Sequence, residues 1–423
     1  MSPPEVGGQG TGETATGRTN RSTKRLVLLG IGHTNAHVLA NWAKHPIAGW
    51  ELVCVSMSKH ATYSGMLPAV LAGQYPPAAM RIDLEKLAAA AGATLRIAET
   101  IGLDSKRRQL QFRDGSSLRF DLLSIGVGSR PAPPENGFDS ASVVAVKPMQ
   151  TFVDRLDAVV DQVAAQRMSS KPKPKPKPKP KPKPKPQPKP RVAIVGGGVA
   201  SLEIAFCLQR RLRERDPNHV WQLTIHTGGD DVAPGLNRRS RNKLRGLLKQ
   251  RGIECLTHSK ITRVEENRLH VAGGRIHHAE CIIWCTHAIA PEWLSGLGLA
   301  TDERGFLATR STLQTLSDPD IFAVGDCGTM VSDGPTAGVH PVMPPVPKAG
   351  VFAVRQSPVL WRNLQSSAAG LSLERYRPQT RFLKLLNTAD QRALLEYGPI
   401  SHHSKWAWWL KDKIDRDFLK EFQ

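Results

Sequence analysis

Two glycine-rich turns carry the first chemical signal in this sequence: Arg25-Leu-Val-Leu-Leu-Gly30-Ile-Gly32-His33-Thr34-Asn35 and Arg191-Val-Ala-Ile-Val-Gly196-Gly197-Gly198-Val-Ala-Ser201. Each ends an apolar, strand-like run and opens a helix-like one. Such a turn leaves free N–H groups at a helix N-terminus, where the helix dipole favours an anion, and its usual guest is a pyrophosphate. One Gly-x-Gly is a weak signal, because ordinary βα loops carry it too. Two in one chain predict two dinucleotides, and therefore electron transfer between them. Both depart from the strict pattern, since Asn35 and Ser201 stand where a third glycine would let the helix pack close to the strand. The acidic residue expected about 20 residues further on, which binds a ribose hydroxyl, is also replaced. The first unit's second strand ends at Ser56, and the second unit's Gln222-Leu-Thr-Ile-His226-Thr227 ends in His-Thr.

A third feature is Asp318-Pro-Asp320-Ile-Phe-Ala-Val-Gly325-Asp326, an apolar strand that delivers an aspartate at its C-terminal end. Open α/β sheets bind ligands beside the C-terminal ends of their strands, so Asp326 is placed to touch one. Phe120-Asp-Leu-Leu-Ser-Ile-Gly126-Val-Gly128 reads the same way, as a buried strand running into a glycine turn.

The elements that must position these residues divide the chain. Residues 24–150 form one βαβ unit, residues 191–299 a second, and residues 300–368 carry the strand that ends in Asp326. A helix and a Lys-Pro tract fill residues 151–190, and a C-terminal segment with a Trp-rich helix fills residues 369–423. Residues 1–23 are Gly, Thr, Ser and charge and are expected to be disordered. In the tract, alternating proline imposes extended polyproline II, so residues 171–190 make a solvated spacer of roughly 60 Å. In the tail, positions 406, 410, 414 and 418 fall on one helical stripe, which predicts packing over the core or as a lid.

The chain has 423 residues, enough for two or three cores, and a formal net charge of +21, nine of whose lysines lie in the Lys-Pro tract. A basic balance suits anionic partners, including an anionic membrane surface. Nucleic acid is disfavoured, because the tract's lysines alternate with proline and not with aromatics. The six cysteines show no paired spacing for a metal or a dithiol, so no metal site is expected. With no secretory signal ahead of the first strand, they predict a cytoplasmic protein with reduced thiols, if anything peripheral to the inner face of the membrane.

These motifs in this order resemble the two-dinucleotide-binding-domain flavoproteins, in which a FAD domain is interrupted by an NAD(P)H domain. The resemblance runs from residue 24 to about 365. It is closest to type II NADH dehydrogenase-like proteins and to the flavoprotein module fused to selenide, water dikinase. The stretches that carry this are Gly30-Ile-Gly-His33-Thr-Asn, Tyr63-Ser-Gly-Met-Leu-Pro68, Val146-Lys147-Pro148, Pro347-Lys348-Ala-Gly350 and Trp409-Leu-Lys-Asp-Lys-Ile-Asp415-Arg416. The implied fold is α/β, two Rossmann-like domains with the NAD(P)H domain inserted in the FAD domain, plus a C-terminal segment.

The implied activity is hydride transfer from NAD(P)H to FAD and on to a quinone or other small acceptor. A redox-sensing flavoprotein without turnover and a reductase of a selenium or sulfur species are the alternatives, and a homodimer is open. FAD would be held by Gly30, Gly32, His33, Thr34, Asn35, Ser56, Gly65, Pro68, Gly126, Gly128, Gly325, Asp326, Lys348 and Ala349. NAD(P)H would be held by Gly196, Gly198 and Ser201. Lys348 and Glu203 are the catalytic candidates: the first as a cation at a helix start that stabilises charge on reduced flavin, the second near the nicotinamide. His33 either meets the cofactor or is a satisfied structural histidine. Arg238 and Arg239 are candidates to read a 2′-phosphate.

Overall fold

The computed structural model describes residues 23–169, 188–331 and 345–423. The expectations for the N-terminus up to residue 22, and for the Lys-Pro tract up to residue 187, lie outside the described residues.

The chain enters at β1 (Lys24–Leu29), turns at Gly30–Gly32 into α1 (His33–Lys44) and returns as β2 (Trp50–Ser56). β3 (Thr94–Ile97) and β4 (Leu122–Ile125) follow. β5 (Val143–Ala145) and α2 (Phe152–Ser169) cross to a second unit. That unit runs β6 (Arg191–Val195), α3 (Val199–Arg215), β7 (Gln222–His226), α4 (Arg238–Gln250), β8 (Glu254–Leu256) and β9 (Cys281–Trp284). β10 (Ile321–Ala323) and α5 (Gly350–Ala368) lead to a hairpin sheet of β11 (Lys384–Asn387), β12 (Ala393–Tyr397) and β13 (Ile400–Ser404). The chain closes with α6 (Lys405–Lys420).

The two central sheets are built alike. Their strand orders are β10-β4-β1-β2-β3 and β5-β9-β6-β7-β8, and every neighbouring pair is parallel. Parallel strands covered on both faces need apolar residues at successive positions. β1 meets this with Leu26 and Leu28 in one core cluster and Val27 and Leu29 in another. β6 does so with Val192 and Ile194 against Ala193 and Val195. Because β10 pairs with β4, the segment beyond the second unit completes the first sheet. The second unit is thus an insertion, as the fold class read from the sequence expects. The Thr34 hydroxyl donates to the Ala353 carbonyl at 2.8 Å, tying α1 to α5 across the two halves of that domain.

The C-terminal helix departs from its expected register by one residue. Its buried positions are Ala407, Lys411, Asp415 and Leu419, while Trp406, Trp409 and Ile414 stay exposed. The expected stripe of Trp406, Leu410, Ile414 and Phe418 follows hydrophobicity, but the inward face carries an ion pair whose remaining partners come from elsewhere in the fold.

Candidate functional site

Three long helices start without a side-chain cap: α1 after Gly32, α3 after Gly198 and α5 after Ala349. The contrast is with α4, where Asn237 accepts from the Ser240 N–H, and α6, where Ser404 accepts from the Ala407 N–H. Uncapped N–H groups need an acceptor, and a ligand anion supplies one. In the first turn Gly30 has φ +78°, and a Cβ there would stand 2.9 Å from the Gly126 carbonyl oxygen. The 30–32 and 126–128 turns therefore lie against each other. Asn35 braces them: its Nδ2 donates to the Gly30 carbonyl at 2.8 Å, and its Oδ1 accepts from the Ser124 hydroxyl at 2.7 Å. The residue that departs from the glycine pattern is a buried polar strut.

Asp326 sits just past β10 in a polar cluster. Its Oδ2 accepts from Lys147 Nζ at 2.9 Å and from the Ser129 hydroxyl at 2.8 Å, and Lys147 also donates to that hydroxyl at 2.7 Å. Burial alone would raise the Asp326 pKa, but Lys147 and Ser129 outweigh it and hold the carboxyl below the usual range. Next to it the Gly325 N–H donates to Gln356 Oε1 at 2.6 Å. Asp326, Gly325, Lys348, Ala349, Phe352 and Gln356 line an open cleft. Lys348 points away from the start of α5: its ammonium donates to the Gly328 carbonyl and to the Thr329 hydroxyl and lies over the Phe306 ring. Burial lowers its pKa to about 8.

A second cluster gathers on the far side of α3. Glu203 is half-buried, its Oε1 accepts from the Asn387 N–H at 2.7 Å, and burial raises its pKa to about 7. Lys411 donates to the Gly65 carbonyl and to Asp415 Oδ2, both at 2.8 Å, and the Tyr63 hydroxyl donates to Asp415 Oδ1 at 3.0 Å. Phe418 stacks on Tyr63 with ring centroids 4.1 Å apart. His33 lies against the same two rings, and burial lowers its pKa to about 4, so it is neutral. The helix over Leu67–Leu71 buries Pro68, and Gly65 is bound to α6 through its carbonyl. Glu203 is thus no surface residue. Ser56 bonds its own turn at Ser58.

In the second unit Gly196 adopts φ +133°, and a Cβ there would fall on the Cys285 carbonyl. The Ser201 hydroxyl donates to that same carbonyl at 3.4 Å, so the small residue keeps α3 close to β9. Gly198 is different, because a Cβ there meets nothing within 4 Å. The protein itself does not require glycine at that point, whereas a pyrophosphate above the turn does. We expect Gly198→Val to abolish flavin bleaching by NADH, or to raise the nicotinamide KM at least tenfold, while bound FAD is retained. Joint loss of both nucleotides would point to misfolding. Arg238 and Arg239 are exposed at the start of α4, where Asn237 is tied to Glu396 and Gly398 of the hairpin sheet.

Sequence reasoning singled out Asp326 and Glu203 but not the residues holding them. Lys147 carried one signal, its place in Val146-Lys147-Pro148. Lys411 and Asp415 carry the same kind of signal, their place in Trp409-Leu-Lys-Asp-Lys-Ile-Asp415-Arg416.

A parallel-sheet domain interrupted by a second of the same strand order, each with a glycine turn at a bare helix N-terminus, defines a flavin-dependent pyridine nucleotide oxidoreductase. Residues 24–356 match the pyridine nucleotide-disulphide oxidoreductase family, and the chain belongs to it. The cofactors of that family are FAD and NAD(P)H, and the turns at Gly30 and Gly198 fit them. A type II NADH:quinone oxidoreductase of Haemophilus influenzae is 26% identical over 148 residues, which is 33% of this chain and 33% of that protein. The match thus spans about a third of the relative's length. Sulfide:quinone oxidoreductase from Aquifex aeolicus superposes with a TM-score of 0.72 at 16% identity, covering 94% of this chain and 91% of that one. NDH2 from Plasmodium falciparum does so with 0.72 at 12% identity, covering 94% and 98%. At such identities these are likenesses of fold.

Proposed function

We propose that this protein passes a hydride from NAD(P)H to FAD and the electrons on to a quinone. The observation that carries the choice of acceptor is the state of the thiols. None of the six cysteines is in a disulfide, and burial raises the pKa of every one. A thiolate is needed to attack sulfur or selenium, and no cysteine here is activated to supply one. That disfavours the selenium or sulfur reading and leaves a diffusible acceptor. The names of the Haemophilus and Aquifex proteins, both quinone oxidoreductases, support the same choice.

FAD supplies the two-electron relay between the nucleotide and the acceptor. Asp326, held by Lys147 and Ser129, would anchor it from the end of β10, and the uncapped N-termini of α1 and α5 would offer N–H groups to its anionic parts. A quinone that takes two electrons also takes two protons, and burial raises the Glu203 carboxyl to about 7, so that it exists in both protonated and ionised forms at neutral pH. The test is anaerobic. NADH or NADPH should bleach the bound flavin, and a short-chain quinone should restore its colour. A flavin that neither nucleotide bleaches would favour the redox-sensing alternative.

Among the described residues no helix is long and apolar enough to cross a membrane. α6 nevertheless exposes Trp406 and Trp409 at 58% and 50% and Ile414 at 42%, with Lys405 and Lys413 beside them. Tryptophan with lysine suits the interface of an anionic bilayer, where a lipid-soluble acceptor would be met. Trp406→Ala with Trp409→Ala should lower retention on anionic vesicles at least tenfold without changing flavin content. Equal retention would remove α6 as the contact.

A further inference from the structure

Resting on the reading of the second unit as the nicotinamide site, we infer that the end of β7 forms a subsite for the 2′-phosphate of NADPH, with Lys260 as its cation. The strand end where a carboxylate would hold an unphosphorylated ribose carries none. His226 is buried with its Nδ1 against the Ser259 hydroxyl at 2.9 Å, and Thr227 follows it. Thr227 lies against the glycine turn, because a Cβ on Gly197 would run into its hydroxyl. The residues that follow Thr227 are therefore next to the nucleotide's path. Without a carboxylate at that strand end, NADH loses its usual hydrogen-bond acceptor.

What replaces the acid comes from the next loop. Thr227 donates its N–H to the Leu256 carbonyl at 2.9 Å, Ser259 donates to the Thr227 carbonyl at 2.8 Å, and His258 donates to the Gly229 carbonyl at 3.2 Å. These bonds strap the 256–260 loop to the 227–229 loop. Lys260 is fixed by that strap: a Cβ on Gly228 would stand 3.3 Å from the Lys260 Cβ, so the lysine stem lies over Gly228. Its ammonium pairs at 2.6 Å with Glu135, both side chains being about 60% exposed. An exposed pair of this kind contributes little, so the ammonium is free to exchange Glu135 for a phosphate. Of the nearby acids, Asp231 accepts from Arg245 Nε at 2.9 Å and Arg241 Nη1 at 2.8 Å, whereas Asp230 is exposed and lies 3.6 Å from His258. A lysine on a four-carbon stem meets phosphate as a point charge, which suits a group that arrives with the ligand.

The test uses the full-length FAD-loaded protein and calorimetric titration with adenosine 2′,5′-bisphosphate, adenosine 3′,5′-bisphosphate and 5′-AMP. The 2′,5′-bisphosphate should bind at least tenfold tighter than the other two, and the preference should shrink with added salt. Lys260→Glu should remove that preference with FAD content unchanged, and Glu135→Gln should strengthen it by freeing the lysine. In parallel, NADPH should bleach the flavin with a lower KM than NADH. Equal binding of the three probes, a Lys260→Glu variant that keeps the preference, or a lower KM for NADH would overturn the inference while leaving the proposed function standing. If no probe binds and neither nucleotide bleaches the flavin, the nicotinamide reading fails and this subsite falls with it.

Discussion

Alanine in place of Asp326 is expected to yield protein purified with little FAD. The carboxylate reaches the cleft from the C-terminal end of β10, the position from which open parallel sheets contact ligands. It is held there by Lys147 at 2.9 Å and Ser129 at 2.8 Å, which keep it ionised in spite of burial. A hydrogen bond to an ionised group contributes about 1.5–3 kcal/mol, so losing one costs roughly 10- to 100-fold in affinity. Removing the acid also leaves the Lys147 ammonium, 28% exposed, without its carboxylate beside the incoming cofactor. Asp326→Asn keeps the shape and an acceptor oxygen, so its loss should be smaller. The measurement is flavin content after purification, followed by titration of the apoprotein with FAD. Near-full occupancy in the alanine variant, with unchanged circular dichroism, would remove Asp326 from the FAD site.

How far the sequence reveals this site depends on how local each signal is. The strands before Gly30 and Gly196 are legible because burial on both faces of a parallel sheet demands a continuous apolar run, and the turn must follow at once. The placing of Asp326 is legible for the same reason, as an acid at the end of an apolar strand. Its cradle is not. Lys147 and Ser129 lie 179 and 197 residues from it in sequence: the pairing of β10 with β4 brings Ser129 beside it, and Lys147 reaches it from beyond β5, a strand of the second sheet. The register of α6 misleads because periodicity weighs apolar residues such as Trp406 and Ile414 above lysine. Burying Lys411 becomes favourable only when Asp415, Gly65 and Glu203 meet it, and two of those three lie in other elements. Lys348 shows the converse. Its place before α5 suggests a cation aimed along the helix axis, but Phe306 and the Gly328 carbonyl draw its side chain aside.

The buried cluster around Lys411 makes the sharpest stability prediction. Lys411 is buried; burial alone would lower its pKa, but Asp415 and Glu203 outweigh that and hold it raised. Lys411→Met keeps the volume and removes the charge, leaving Asp415 Oδ2 and the Gly65 carbonyl without their donor and Glu203 without its neighbouring cation. Taking one partner from a buried ionic network costs about 3–5 kcal/mol. Part of that cost depends on pH. Glu203 titrates at about 7 in the folded protein against an ordinary 4.5, so the folded state favours its protonated form. The resulting penalty is absent below about pH 4.5, grows as pH rises through that interval and is complete above about 7. Lys411 opposes the upward shift, so its loss raises the Glu203 pKa further and carries the penalty to higher pH. The variant should therefore trail the wild type by more at pH 8 than at pH 5.5 in urea unfolding, with both proteins stripped of FAD so that cofactor binding does not mask the difference. Adding Glu203→Gln to Lys411→Met should recover part of the deficit and flatten its pH slope. A Lys411→Met protein as stable as wild type at both pH values would show that the ammonium does not balance these carboxyls.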